Sequence, residues 1–175
     1  YSGEVMLYNL TKHGNRKVIF ILGKGQLLNQ SIVSKKPNAL FCEAVCPVKV
    51  IEIAEEQFLQ LMEQSHALTR AVLREYERNL WRMGHQLKNT TGNMQMERKI
   101  AAKLWKLGRD FGVDTEDGVM IDIDLTITLM ADLVGAPREN VSRACKVLTD
   151  RGLIRYGNKR FILTDSDGLA EFYKM

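Results

Sequence analysis

The side chains with the clearest chemical potential lie close together near the start of a short segment in the last third of the chain. Arg138 and Glu139 are followed four residues later by Ser142 and Arg143. On a helix this spacing places all four on one face, opposite Val141. An arginine can donate two hydrogen bonds to a guanine, and a glutamate can accept one from N4 of a cytosine. These residue types in this pattern predict a helix that reads base edges in DNA.

Basic residues continue beyond that segment. Seven lysines and arginines lie between residues 138 and 160, against two acidic residues, in a chain whose net charge is +4. Such a local excess favours contact with a phosphate backbone. An Arg–Glu cluster elsewhere on a helix is usually only a solvated face. Its position at the start of this helix favours contact with base edges, because the first residues of a recognition helix reach into the groove. We predict these DNA-binding residues: Arg138, Glu139, Asn140, Ser142, Arg143, Lys146, Lys159 and Arg160.

Residues 127–146 fit a helix-turn-helix pattern of twenty positions. Its fifth position needs a small residue, here Ala131, because two helices cross there at a steep angle. Its ninth needs a glycine for the turn, here Gly135. The remaining constrained positions are apolar, at Met130, Val134, Ala136, Val141 and Ala144. The alternative is a ligand-binding or redox-sensing module whose helix-turn-helix is only structural, and salt-dependent DNA binding would separate the two.

The elements around this motif complete a winged helix. The apolar spacing predicts helices over residues 98–111, 128–134 and 138–151, and a last helical turn at 169–173. Strands are predicted over residues 119–124 and in a hairpin over 153–163 that turns at 157–158. The acidic stretch 110–117 is predicted to be a loop, and the acidic cluster from Asp110 to Asp124 is read as solvated loop residues without metal-loop spacing.

A long helix is predicted over residues 65–88, ahead of a hinge at 89–93. Apolar residues recur along it at spacings of 3 and 4. This heptad seam is typical of a helix that packs against a second helix. We favour a homodimer, because charged residues flank the seam; packing against the chain's own β-structure is the alternative. The predicted dimer-interface residues are Leu73, Tyr76, Leu80, Met83 and Leu87.

The first third of the chain predicts β-structure. Strands are expected at residues 5–10, 17–22, 40–45 and 48–53, separated by glycine, proline and asparagine. The fold class is therefore α+β, with a partial β-roll, a long dimerisation helix and a C-terminal winged helix-turn-helix. The predicted domains are a sensing β-roll at 1–62, a dimerisation helix and hinge at 63–93, and a DNA-binding domain at 94–175.

Composition excludes several classes of protein. Hydrophobic residues are 45% and charged residues 26%, which is typical of a globular chain and not of a disordered one. There is no signal-peptide pattern or membrane-length apolar run, and three cysteines indicate a reduced compartment, so we expect a cytoplasmic protein. No catalytic constellation is present, so we do not expect an enzyme. Trp81, Trp105 and the methionines are expected in the core, and the three histidines at the surface.

The order of β-roll, long helix and winged helix resembles the Crp/Fnr family, the cyclic-AMP receptor and fumarate-nitrate-reduction regulators. The resemblance covers nearly the whole chain and is carried best by residues 135–143, by Gly152-Leu153-Ile154 and by Gly25-x-Leu27-Leu28. It implies a bacterial, homodimeric transcription regulator with a cyclic nucleotide-binding-like domain. Its implied partners are palindromic DNA with TTGA-like half-sites and RNA polymerase.

The chain also departs from that family. Asn29-Gln30 and Asn38-Ala39 stand where the family's cyclic-nucleotide pocket has a Gly-Glu pair and an Arg-Ser pair, so we expect an effector other than cyclic AMP. That effector is unidentified, and neither a cofactor nor a metal site is predicted. Cys42 and Cys46 are expected to be buried structural cysteines, and Cys145 is expected to pack in the core of its domain. Family members carry about fifty further residues ahead of the position of Tyr1, so a fragment is expected.

Overall fold

The computed structural model describes residues 2–29, 31–34, 36–90 and 94–174, without the side chains of 88–90. In chain order the elements are β1 (Val5–Leu10), β2 (Arg16–Leu22), β3 (Phe41–Ala44), α1 (Glu55–Gln64), α2 (His66–Thr90), α3 (Met96–Phe111), β4 (Gly112–Thr115), β5 (Gly118–Ile121), α4 (Ile127–Val134), α5 (Arg138–Asp150), β6 (Ile154–Gly157), β7 (Arg160–Leu163) and α6 (Ser166–Lys174). The predicted α+β class, with sheet, long helix and winged helix-turn-helix, is confirmed.

The chain divides into two compact units. One consists of residues 1–9 and 19–92, and the other of residues 10–18 and 93–175. The long helix α2 therefore belongs to the same unit as most of the first sheet. The second unit contains the whole helix-turn-helix. The predicted hinge at 89–93 lies mostly outside the described residues.

The first unit is built around a three-stranded sheet in the order β2-β1-β3. Leu7, Phe20 and Leu22 form its apolar core. Helix α2 contacts this sheet through polar side chains: Gln86 Nε2 donates to Ile19 O at 2.8 Å, and the Arg82 guanidinium lies 5.2 Å from the centre of the Phe20 ring. The side of α2 that faces the sheet is therefore not the apolar seam.

The apolar seam of α2 faces solvent in the single chain. Its five residues are exposed, from 38% for Tyr76 to 72% for Leu80. The alternative that the seam packs on the chain's own sheet is therefore wrong for the described residues. Trp81 was expected in the core but is 58% exposed. It follows Leu80 of the seam in sequence, and the helix positions that face the sheet are occupied by Glu75, Asn79 and Arg82 instead.

The strand predicted at residues 48–53 does not form. Only an isolated bridge between Ser2 and Lys49 occurs there, and Val50 and Ile51 are exposed. An apolar β-branched run becomes a strand only where a neighbouring strand accepts its hydrogen bonds. No strand occupies that position in the part of the chain that the structure describes.

The second unit packs α3 against α5 and α6 beside a four-stranded sheet in the order β4-β5-β7-β6. The acidic stretch predicted to be a loop forms strand β4 instead, in register with β5 from Gly112 opposite Ile121 to Thr115 opposite Gly118. Gly112 permits this turn out of α3, because a Cβ there would lie 2.0 Å from Gly108 O. Asp114 is the one acidic residue of this edge strand, and it stays exposed.

Within the described ranges, no helix combines the length and the apolar character that crossing a membrane requires.

Candidate nucleic-acid interface

Helix α4 begins and ends where the helix-turn-helix pattern requires. Thr126 Oγ1 accepts a hydrogen bond from Leu129 N at 3.0 Å and so caps the first turn. The helix ends at Gly135, whose φ of 72° lies in the left-handed region that glycine adopts without strain. The next residues therefore leave α4 at the angle that brings α5 across it.

Helix α5 presents two distinct faces. Val141, Ala144 and Leu148 are at most 1% exposed and pack into the unit. The predicted base-contacting side chains lie on the other face and are exposed, at Arg138, Glu139, Ser142 and Arg143, with Lys146 one turn further on. These five residues therefore share the solvent-exposed face that the sequence predicted, and their contact with DNA stays a prediction.

The first turn of α5 carries no side-chain cap, since Pro137 stands at the N-cap. Inside the helix, the guanidinium of Arg143 donates a hydrogen bond to Asn140 Oδ1 at 2.6 Å. Asn140 is half-buried and lies about one turn before Arg143 on the helix surface. The exposed Arg143 head group therefore starts from a restrained position before any contact with DNA.

The wing is the hairpin β6–β7, in which Gly157 lies opposite Arg160. Its two turn residues, Asn158 and Lys159, have φ angles of 50° and 59°. This is the geometry of a type I′ turn, where glycine is the usual second residue. Leu125 N donates to Lys159 O at 2.7 Å and fixes the turn from outside the hairpin.

Three carboxylates hold the two arginines of the wing. Arg155 forms an ion pair with Asp117 at 2.8 Å. The Arg160 guanidinium lies between Asp122, at 2.5 Å, and Asp124, at 3.3 Å. Sequence reasoning treated these acids as solvated loop residues and missed the pairs. The DNA contact of Arg160 stays a prediction, with a competing partner already in place.

Residues 10–18 also belong to this unit and contact the end of α4. Arg16 Nε lies 3.1 Å from Asp132 Oδ2, and Lys17 Nζ donates to Leu133 O at 2.8 Å. Burial lowers the pKa of Lys17, and the nearby charge of Lys99 lowers it further. Sequence reasoning missed these contacts, because 116 residues separate the partners.

The cysteines do not form a metal site. Among the described residues, no group of three or more possible metal ligands occurs. Cys42 is exposed and Cys46 is half-buried, so the expectation that both are buried is wrong. Strand β3 lies at the edge of its sheet and leaves Cys42 open to solvent, whereas the Cys46 thiol donates to Glu4 Oε2 at 2.9 Å. Cys145 lies on the buried face of α5 as expected, and burial raises its pKa to about 11.

The segment where the family has its nucleotide-phosphate ligands is open to solvent. Asn38 and Ala39 are exposed, and Asn38 Oδ1 accepts from Ser31 N at 3.4 Å. Gln30 lies outside the described residues.

Comparison with known protein families finds two matches. A cyclic nucleotide-binding domain matches residues 1–65, and a Crp-like helix-turn-helix domain matches residues 98–172. The two matches together cover most of the chain.

Similar proteins of known function share low identity over almost the full chain. A CRP-like cAMP-activated global transcriptional regulator of Mycobacterium tuberculosis is 25% identical over 170 residues, which are 97% of this chain and 75% of that protein. A global nitrogen regulator of Nostoc is 24% identical over 162 residues, 91% of this chain and 72% of that protein. Both are named as regulators and neither as an enzyme.

Solved structures share the fold. A CRP-family transcriptional regulator of Thermus thermophilus has a TM-score of 0.79 at 18% identity, covering 99% of this chain and 85% of its own. FixK2 of Bradyrhizobium japonicum has a TM-score of 0.74 at 17% identity, covering 97% of this chain and 83% of its own.

Proposed function

This chain belongs to the Crp/Fnr family of DNA-binding transcription regulators, and from that premise we propose that it acts as a homodimer on palindromic operators. Each protomer contributes one recognition helix, α5, to one half-site. Palindromic DNA presents its two half-sites about 34 Å apart along one face, which matches a protein with twofold symmetry.

The observation that carries this proposal is the exposed face of α5. Its first six residues present two arginines, a glutamate and a serine to solvent, while the opposite face is buried. Side chains at the start of a recognition helix reach base edges when the helix enters a major groove. Arg143 would donate to the guanine of a TTGA-like half-site, and Glu139 would accept from a cytosine.

The exposed seam of α2 supports the homodimer. Leu73, Leu80 and Leu87 lie one heptad apart on the solvent-facing side of a 25-residue helix. Two such helices would bury the seam over about 21 Å. Exposure of five large apolar side chains in a row is costly for a monomer, at about 25 cal/mol for each Å² left in water.

An effector other than cyclic AMP would control the regulator. A buried phosphate needs a cation beside it, whereas Asn38 and Ala39 are neutral and exposed. The Mycobacterium relative is named as cAMP-activated, so the comparison favours the opposite expectation. Titration of the purified protein with micromolar cyclic AMP in a calorimeter decides between them: we expect no saturable heat, and saturable heat would contradict this part of the proposal.

We further propose, from the family, that the regulator contacts RNA polymerase. Its proposed place of action is the cytoplasm, where bacterial DNA lies.

The test is selection of bound duplexes from a random pool, followed by binding titrations at several salt concentrations. We expect enrichment of a palindrome with TTGA-like halves and a negative slope of log affinity against log salt. Enrichment of no sequence, together with the absence of a salt slope, would favour a module whose helix-turn-helix is only structural.

A further inference from the structure

Two of the three cations in the wing of this regulator are paired with carboxylates. Of the three cations in the hairpin of residues 154–163, Arg155 and Arg160 form ion pairs with carboxylates, and Lys159 takes no part in those pairs. We infer that Asp117, Asp122 and Asp124, here called the acidic screen, keep the wing arginines off DNA phosphates and so lower the sequence-independent part of the affinity for DNA. This inference rests on the proposed function, because it concerns how the same surface meets a duplex.

Strand geometry places both arginines on one side of the wing sheet. Phe161 and Leu163 on β7, and Ile154 on β6, are at most 2% exposed and face the helices. Side chains alternate along a strand, so Arg155 and Arg160 project from the opposite, solvent-facing side. A cation on that side is free to meet a phosphate unless another anion holds it.

Stability does not explain the acidic screen. The side chains of Asp117, Asp122 and Asp124 are 50–55% exposed, and that of Arg155 is 58% exposed. Ion pairs with this exposure stabilise a fold by about 0–1 kcal/mol each. Their larger consequence is electrostatic, because each carboxylate cancels a charge that a DNA phosphate would otherwise meet.

Phosphate contacts do not discriminate among sequences, whereas base contacts do. With the wing arginines paired, Lys159 and the cations on α5 remain to meet DNA. Screening therefore lowers the affinity for any duplex and leaves a larger share of the binding free energy to the base contacts of α5.

The experiment compares the full chain with the triple variant Asp117→Asn, Asp122→Asn and Asp124→Asn. Fluorescence anisotropy would measure binding to a random-sequence duplex and to a palindromic TTGA duplex between 50 and 200 mM KCl. On the random duplex we expect tighter binding, with a salt slope steeper by about 0.9 for each arginine released. On the palindromic duplex we expect a similar steepening, because the released arginines meet phosphates in either sequence.

Two further variants make the result specific. Adding Arg160→Ala to the triple variant should remove about half of the gained slope. Asp110→Asn is the matched control, because Asp110 pairs with Lys106 at 2.9 Å on α3. It changes the net charge by one unit and should leave the slope on random DNA close to that of the unaltered protein.

An unchanged or shallower slope in the triple variant would overturn the inference, as would an equal gain per charge in Asp110→Asn. If the unaltered protein binds neither duplex, the proposed function itself fails, and the inference fails with it. Circular dichroism of each variant confirms that the fold is retained, and Asp122→Asn alone provides a milder version whose gain should be smaller and of the same sign.

Discussion

Lys159 occupies a backbone conformation that a residue with a side chain adopts only at a cost. The left-handed region costs a non-glycine residue about 1 kcal/mol, and a glycine at this turn position would avoid that cost. The turn nevertheless carries a lysine at the tip of the wing. We therefore predict that the side chain of this exposed cation serves binding and not folding.

The variant Lys159→Gly separates those two roles. We expect its free energy of unfolding to stay unchanged or to rise by up to about 1 kcal/mol, because the strain is relieved. Its salt slope on any duplex should become shallower by about 0.9, because one phosphate contact is lost. Urea unfolding and anisotropy titrations measure the two quantities, and a loss of stability without a change in slope would contradict the assignment.

Arg143 is expected to behave differently from Lys159. Arg143→Ala should cost about 1–3 kcal/mol on a TTGA duplex, since a bidentate contact with guanine is lost. On random DNA the loss should be much smaller. Asn140→Ala removes the hydrogen bond that restrains Arg143 and is the companion variant, with a smaller loss of the same kind expected. Equal losses of affinity for Arg143→Ala on both duplexes would show that this residue contacts only phosphates and reads no base.

The three cysteines offer a chemical probe of local opening. Cys42 is exposed, whereas Cys145 is buried and its pKa is raised from 9.0 to about 11 by that burial. Between pH 9 and 11 the unfolded chain loses this thiol proton first, so the free energy of unfolding should fall as pH rises through that window. With a disulfide exchange reagent at pH 8, Cys42 should react at once and Cys145 only when α5 opens. Fast labelling of Cys145 in the native protein would contradict its burial.

At the scale of the elements, the helix-turn-helix was predictable almost to the residue. The start of α4 and the end of α5 each lie within one residue of the prediction, because Gly135 and the apolar positions are local signals. Strand β4 was not predictable, since four exposed residues become a strand only through pairing with β5. The strand expected at 48–53 did not form, because no neighbouring strand among the described residues pairs with that segment. Patterns that depend on a partner strand cannot be read from a segment alone.

The cap of α4 provides a test at this scale. Thr126→Ala removes the hydroxyl that accepts from Leu129 N, and we expect a loss of about 1 kcal/mol in the free energy of unfolding. Thr128→Ala is the matched control, because Thr128 lies exposed on the same helix. Denaturant titration measures both. A loss of equal size in the two variants would show that the capping bond contributes nothing beyond the threonine side chain itself.

At the scale of the whole molecule, the seam of α2 decides the state of assembly. Leu80→Lys with Met83→Lys places two charges in the seam and should convert a dimer to a monomer, because neighbouring helices would have to bury both charges. Operator binding should weaken with it, since two half-sites would no longer be held together. His85→Lys, on the side of α2 opposite the seam, is the control. Sedimentation of the double variant as an unchanged dimer would refute the seam as the interface.

The contacts of Arg16 and Lys17 with the end of α4 join two distant parts of the chain in one folding unit. This unit is discontinuous, since it consists of residues 10–18 and 93–175. Residues 10–18 therefore leave the ribosome long before the rest of the unit has been synthesised. Residues 10–18 can make these contacts only after α4 has been synthesised. Bringing the two segments together closes a long loop of chain, at an entropic cost that grows with the logarithm of the loop length. A fragment that starts at residue 93 would leave Asp132 without Arg16 and the carbonyl of Leu133 without Lys17. A late part of the chain thus completes a structure that a much earlier part began.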